Sequence, residues 1–157
     1  MTVTIRATPE QCFDYIGDYR NMTATMDWVK TYEPVGAKAS GKGARFSSTV
    51  EVAGKRFDTE LVVVKWDRPY AMVAESKSPR TRGTWAIEEF DDGTTDCTLE
   101  YEYEMPGIFR LVPGSVVGRA IETGLDRALK RIKRNVEAGA RKPAPRRKAA
   151  ATGRARR

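Results

Sequence analysis

The stretch PGSVVGRAIETGLDRALKRIKRNVE, residues 113–137, reads as one long amphipathic helix. Its apolar residues recur at steps of three or four and therefore share one face of a helix with 3.6 residues per turn. The members of this face are Val117, Ile121, Leu125, Ala128, Ile132 and Val136. Pro113 and Gly114 predict the helix start, with Ser115 as the expected capping residue. A face of this breadth requires an equally broad apolar surface to cover it.

That surface is predicted by the region before the helix, where apolar residues alternate with polar ones from Val35 to Met105. A period of two indicates β-strands, and the intervening Gly, Pro and Asp residues indicate tight turns. We therefore expect five or so successive antiparallel strands, with a polar loop over residues 78–82. The strand that starts near Cys97 has the clearest alternation, because Leu99, Tyr101 and Tyr103 all face one side.

The N-terminal region predicts a short strand over residues 2–6 and then a helix. Thr8, Pro9 and Gln11 have the spacing of a capping box with proline in the first turn. Residues 22–32 carry several bulky apolar side chains and predict a second short helix or an irregular arm. Strands that precede one long helix, rather than alternating with helices, indicate an α+β fold. A curled antiparallel sheet around the C-terminal helix would leave a cavity wherever the interior is not filled.

The charge of the chain divides it into two parts. The 157 residues have a net charge of +7. Residues 1–138 contain 20 basic and 21 acidic side chains, whereas residues 139–157 contain 8 basic and no acidic ones. We therefore predict a folded domain over residues 1–138 and a disordered basic tail over residues 139–157. A nearly neutral folded part argues against a nucleic-acid-binding body.

Composition also excludes several kinds of chemistry. The chain has no histidine, which removes serine and cysteine catalytic sites that need an imidazole base, as well as HExxH zinc sites. The two cysteines, Cys12 and Cys97, have no metal-ligand spacing, so neither a metal site nor a disulfide framework is expected. No cofactor motif is recognisable, and no segment reads as a signal peptide or a membrane span. The sequence thus predicts a cytoplasmic protein that holds no metal or cofactor.

Several short motifs, in this order and spacing, resemble the START and birch-pollen-allergen superfamily (SRPBCC), in its bacterial polyketide cyclase/dehydrase-like branch. They are Ala7-Thr8-Pro9-Glu10, Phe13-Asp14-Tyr15-Ile16, Asp18, Trp28, Gly41-Lys42-Gly43-Ala44-Arg45-Phe46, Asp67-Arg68-Pro69, Trp85, Gly93-Thr94-Thr95, Tyr101 and Pro106-Gly107. The resemblance covers residues 1–138 and implies the helix-grip fold, in which a curled sheet wraps around the long helix. It also implies either the binding of a lipid, polyketide or aromatic metabolite, or cyclase-type chemistry.

The inward faces of the strands and the front of the long helix supply the candidate ligand-binding residues. They are Trp28, Phe46, Ser48, Thr59, Leu61, Met72, Trp85, Tyr101, Tyr103, Phe109, Val117 and Ile121. Each of these side chains also suits a position in a packed core. As a set, however, large aromatic residues with scattered hydroxyl groups fit an apolar ligand that carries a few oxygens. The rear of the helix, from Leu125 to Val136, is expected to be core.

An enzymatic alternative uses the same region. Tyr101 and Tyr103 would polarise a carbonyl group or hold an enolate, and Glu122 or Asp126 would act as the base. Both carboxylates lie on a helix rich in arginine, however, and a solvated ion pair explains them equally well.

The basic tail leaves three hypotheses open: a solubilising extension, attraction to an anionic membrane, or contact with nucleic acid or the ribosome. The tail contains no aromatic residue, so binding to nucleic acid would be independent of sequence and steeply dependent on salt.

Overall fold

The computed structural model describes residues 1–142, which form a seven-stranded antiparallel sheet curled around one long helix. The strands are β1 (Thr2–Ile5), β2 (Val29–Pro34), β3 (Arg45–Val52), β4 (Lys55–Asp67), β5 (Ala71–Lys77), β6 (Arg80–Glu89) and β7 (Thr95–Tyr103). The helices are α1 (Pro9–Gly17), α2 (Met22–Thr25) and α3 (Gly114–Ala140). In space the strands follow the order β1-β7-β6-β5-β4-β3-β2. The predicted helix-grip architecture is confirmed.

Local sequence signals account for most of these boundaries. The Thr8 hydroxyl accepts a hydrogen bond from the Gln11 amide at 3.2 Å, and the Thr8 amide donates to Gln11 Oε1 at 3.0 Å, so the predicted capping box is present. Ala53 and Gly54, both with positive φ, form the two-residue turn between β3 and β4. Such turns match the twist of the strands that they join.

Two predictions about strands were wrong. Residues 22–32 do contain the short helix α2, but they end in β2, whose alternation is obscured by the bulky residues before it. Residues 80–82 belong to β6 and pair with residues 75–77 of β5, so the polar loop is confined to the hairpin turn at Ser78 and Pro79. Polar side chains occur there because this end of the hairpin is accessible to solvent, and they do not prevent the backbone from pairing.

Helix α3 buries the predicted face, with Val117, Ile121, Leu125, Ala128, Ile132 and Val136 all in the core. It starts after Pro113 without any side-chain cap, so the expected capping by Ser115 was wrong. Its rear half is tied to the N-terminal region by polar contacts. Asn135 donates to the Tyr15 hydroxyl at 2.8 Å, and Arg131 pairs with Asp27. The basic residues of α3 therefore serve in part to hold the fold together.

The cysteines and the chain end complete the description. Cys12 and Cys97 are both free and buried. Helix α3 continues to Ala140, two residues beyond the predicted domain boundary at 138. The hypotheses about the basic tail concern mainly residues 143–157, which lie outside the described residues. Within residues 1–142, no helix has the length and apolar character needed to cross a bilayer.

Candidate functional site

A cavity of about 140 Å³, here called the main chamber, lies on the concave side of the sheet. Strands β2 to β7 supply most of its wall, and the α1–α2 region closes one end. Helix α3 contributes Leu125. The lining comprises Ile16, Gly17, Tyr19, Met22, Met26, Trp28, Val29, Tyr32, Ser40, Phe46, Ser48, Val50, Phe57, Thr59, Leu61, Val63, Trp66, Met72, Ala74, Pro79, Thr81, Gly83, Trp85, Leu99, Tyr101 and Leu125.

The hollow forms where inward-facing side chains become small on neighbouring strands. Ala74 of β5 pairs directly with Gly83 of β6, and Gly83 pairs in turn with Tyr101 of β7. A Cβ atom at position 83 would lie 3.8 Å from Tyr101 Cδ2, so the tyrosine ring lies close over the glycine. The small side chain of Ala74 leaves the space beside it unfilled.

A second, smaller cavity of about 40 Å³ adjoins the first and is here called the second chamber. It lies between the front of α3 and the end of β7. Its lining comprises Trp28, Val50, Val52, Phe57, Pro79, Thr81, Tyr101, Tyr103, Glu104, Met105, Pro106, Phe109, Val117 and Ile121. Trp28, Phe57 and Tyr101 border both chambers, so these three aromatic side chains form part of the wall between them.

The packing of Trp28 depends on a glycine of α3. A Cβ atom built at Gly124 would overlap Cζ3 and Cε3 of the Trp28 indole. Only a residue without a side chain lets the indole approach the helix backbone this closely. Gly124 therefore sets the position of the wall between the chambers.

The main chamber is neutral but not wholly apolar. None of the described residues that line it carries a charge. Thr59 donates its hydroxyl to the Ser78 carbonyl at 3.2 Å, and the Thr81 hydroxyl shares a 2.8 Å hydrogen bond with that of Ser76. Ser48 Oγ is buried and has no hydrogen-bond partner within residues 1–142. An unpaired buried hydroxyl costs roughly 1–3 kcal/mol, so Ser48 is a lining group with an unmet need for a partner.

The pKa values of two tyrosines of the main chamber are raised by their surroundings. Burial raises the pKa of the Tyr32 hydroxyl well above its usual value. Burial also raises the pKa of Tyr101, and a contact with Thr81 partly opposes this shift. Both directions follow from the low polarity of the chamber, which disfavours the phenolate form. The two hydroxyls therefore remain neutral hydrogen-bonding groups at ordinary pH.

The candidate residues from the sequence divide between the two chambers. Trp28, Phe46, Ser48, Thr59, Leu61, Met72, Trp85 and Tyr101 line the main chamber. Tyr103, Phe109, Val117 and Ile121 line only the second chamber. The front of α3 therefore lies beside the smaller space, and Leu125, which was assigned to plain core, lies beside the larger one.

Sequence reasoning missed several aromatic or apolar residues of the main chamber, among them Tyr32, Trp66 and Met26. Tyr32 was overlooked because β2 was interpreted as part of a helix or arm. Trp66 was placed on a strand but not assigned to the interior, where it packs edge to face on Phe13 with ring centres 4.9 Å apart. Met26 precedes β2 in the irregular segment. The alternation of Tyr32 with exposed Thr31 and Glu33 was the available signal for the first of these.

The residues of the enzymatic hypothesis do not come together in the main chamber. Tyr101 and Tyr103 stack with ring centres 6.0 Å apart, but Tyr103 belongs to the second chamber. Glu122 lies exposed on α3. Asp126 accepts a hydrogen bond from Lys130 at 2.7 Å in an i,i+4 ion pair. Neither carboxylate lines the main chamber.

Comparisons with known proteins agree with this geometry. A family model described as polyketide cyclase / dehydrase and lipid transport matches residues 1–137. A START superfamily protein from Mycobacterium smegmatis has a similar structure, with a TM-score of 0.66 at 16% identity, over 88% of this chain and 95% of that chain. A protein from Thermus thermophilus gives a TM-score of 0.65 at 22% identity, over 89% and 97% of the two chains.

A third similar structure is the di-domain ARO/CYC protein BexL from the BE-7585A biosynthetic pathway. Its TM-score is 0.61 at 16% identity, over 92% of this chain and 50% of that chain. No curated protein sequence matches the chain. At such low identities the likeness to solved structures shows the fold alone.

Proposed function

The chain belongs to the polyketide cyclase/dehydrase and lipid transport family, and on this basis we propose that it binds a hydrophobic small molecule in the main chamber. The protein then carries or senses that molecule. The observation that supports the proposal is the chamber itself: a hollow inside the fold whose described lining is largely apolar and has no charge. Enclosed apolar pockets with a few oriented polar groups are the usual form of small-molecule sites.

Binding is favoured over catalysis by the arrangement of the polar groups. The cyclase hypothesis needs a base beside the tyrosines, and the proposed carboxylates, Glu122 and Asp126, do not line the main chamber. Hydroxyl groups that remain neutral at ordinary pH orient a ligand well but abstract protons poorly. The same groups are therefore better suited to holding a molecule than to transforming it.

The first test is to extract the purified protein with organic solvent and to identify the released compounds by mass spectrometry. We expect a hydrophobic compound in stoichiometric amount. The chain has three tryptophans, Trp28, Trp66 and Trp85, and all three line the main chamber. Their fluorescence should therefore change when the released compound is added back.

A matched pair of variants assigns the binding to the chamber. Ala74→Leu fills the main chamber and should abolish both the co-purified compound and the fluorescence change. Ala86→Leu places the same extra volume at an exposed position of β6 and should leave both unchanged. Equal loss in the two variants, or an empty extract from the wild-type protein with no thermal shift across a hydrophobic library, would refute the proposal.

A further inference from the structure

Ser48 has the properties of a ligand anchor. Its side chain is 1% exposed, it lines the main chamber, and its hydroxyl has no partner among the described residues. In the sheet it lies directly between Tyr32 of β2 and Thr59 of β4. Thr59 already donates to the Ser78 carbonyl. A hydroxyl buried in this way gains a hydrogen bond when an oxygen atom enters the chamber.

The lining also constrains the charge of the occupant. A carboxylate or ammonium group enclosed there would lose its hydration shell, and no charged side chain of the described lining would compensate for that loss. The nearby tyrosines do not supply a counter-charge, since burial keeps Tyr32 and Tyr101 neutral. The chamber therefore selects against ions.

The size and shape of the main chamber narrow the class of ligand further. A cavity of about 150 Å³ engineered in another protein takes up benzene, and the main chamber, at about 140 Å³, is of similar size. Its wall contains the aromatic side chains of Trp28, Trp66 and Trp85 together with Phe46. Aromatic walls suit aromatic ligands, because ring pairs gain about 0.5–1.5 kcal/mol beyond their buried area.

We propose that the main chamber takes an uncharged, compact aromatic compound with one hydroxyl or carbonyl oxygen, and that this oxygen bonds to Ser48 Oγ. The proposal rests on the proposed function, because it specifies the ligand class of the same chamber. In this proposal, Ser48 distinguishes an aromatic hydrocarbon from its oxygenated analogue. The uncharged lining disfavours the binding of acids.

Three probes that share a methylbenzene framework and differ in one substituent test the proposal at pH 7 on protein stripped of bound compounds: toluene, p-cresol and p-toluate. Isothermal titration calorimetry should show p-cresol binding about tenfold more tightly than toluene, the factor expected for one hydrogen bond to a previously unpaired buried group. Binding of p-toluate should be at least tenfold weaker than that of toluene. Binding of p-toluate equal to that of p-cresol would overturn the charge selection.

Two hydroxyl deletions separate the anchor from its neighbours. Ser48→Ala should reduce p-cresol affinity to that of toluene, leave toluene affinity unchanged, and raise the melting temperature of the ligand-free protein. Thr49→Val, next to Ser48 on β3 but outside the lining of both chambers, should keep the preference for p-cresol, because the Thr49 hydroxyl points to the opposite face of the strand and donates to Asp58. If toluene and p-cresol bind equally and Ser48→Ala changes neither, the anchor is wrong but hydrophobic binding stands. If no probe binds and no compound co-purifies, both proposals fail.

Discussion

The two chambers have adjoining walls but different character. The main chamber is built mostly from the concave face of the sheet, and its described lining has no charged residue. The second chamber is built from the front of α3 and the end of β7, and its lining includes Glu104. Tyr103 and Met105, on its border, are 38% and 43% exposed. One space thus has an uncharged lining, and the other is smaller and has a carboxylate and exposed side chains on its border.

This difference shows that space in the fold is controlled by the sheet rather than by the helix. The apolar face of α3 is continuous, and each of its residues contacts the part of the fold that lies beneath it. Along the strands, inward positions alternate between large residues such as Phe46 and small ones such as Ser48 and Ala74. The main chamber lies beneath the small ones. The volume of the main chamber therefore depends on a few missing methyl and methylene groups in the sheet.

Removing the wall between the chambers should have the largest effect. Trp28→Ala deletes a half-buried indole that borders both spaces, and we expect a loss of about 3 kcal/mol in the free energy of unfolding, at the lower end for tryptophan truncation. The joined cavity should also accept larger ligands than the wild-type protein. Urea denaturation and binding of aromatic compounds of increasing length would measure the two effects.

Trp28→Phe serves as the control for that variant, since it keeps an aromatic ring in the wall. It should lose less stability and retain the size limit of the wild-type protein. An equal gain in accepted ligand size for Trp28→Ala and Trp28→Phe would show that Trp28 does not separate the chambers.

A smaller effect is expected from substituting Gly124, the residue of α3 against which the Trp28 indole packs. Gly124→Ala would normally stabilise a helix interior by up to about 1 kcal/mol. Here the added methyl group collides with the indole, so we expect a net loss of about 2 kcal/mol from overpacking. The displaced ring should also change the tryptophan fluorescence.

Gly118→Ala is the matched control on the same helix. A Cβ atom there would lie 3.7 Å from the Tyr103 hydroxyl oxygen, an ordinary contact distance. This variant should be neutral or slightly more stable than the wild type in urea denaturation. If Gly124→Ala also stabilised the protein, Trp28 would be able to move aside without a loss of stability, and Gly124 would not fix the position of the wall.

Periodicity and turn signals predicted the architecture well because they report on backbone pairing and burial. The face of α3 and the capping box at Thr8 were both recognisable from the sequence. Predictions failed where a local signal was ambiguous. The bulky residues before β2 obscured its period of two, and the polar character of residues 80–82 suggested a loop although the backbone pairs there.

The candidate site could be predicted only in outline, for a physical reason. Alternation in a strand tells which residues point inward, but it does not tell whether the opposite wall reaches them. Val117 and Leu125 belong to the same helix face, yet Val117 borders the second chamber and Leu125 the main one. The depth of the curled sheet at each position determines which chamber a residue of this helix face borders. Whether the Ser48 hydroxyl has a hydrogen-bond partner likewise depends on whether neighbouring hydroxyls donate to backbone carbonyls, as that of Thr59 does.

The smallest expected effect tests how dry the main chamber is compared with the second. Burial raises the pKa of Tyr32 in the folded protein, whereas the unfolded chain ionises near pH 10. The unfolded state therefore loses this proton first, so the stability that Tyr32 contributes is complete below pH 10 and falls as the pH rises above it. Tyr32→Phe should reduce the loss of stability between pH 9 and pH 11 by about 1 kcal/mol, measured by urea denaturation at both values. The same loss in Tyr32→Phe as in the wild-type protein would mean that water reaches the Tyr32 hydroxyl, and the contrast in dryness between the two chambers would then be wrong.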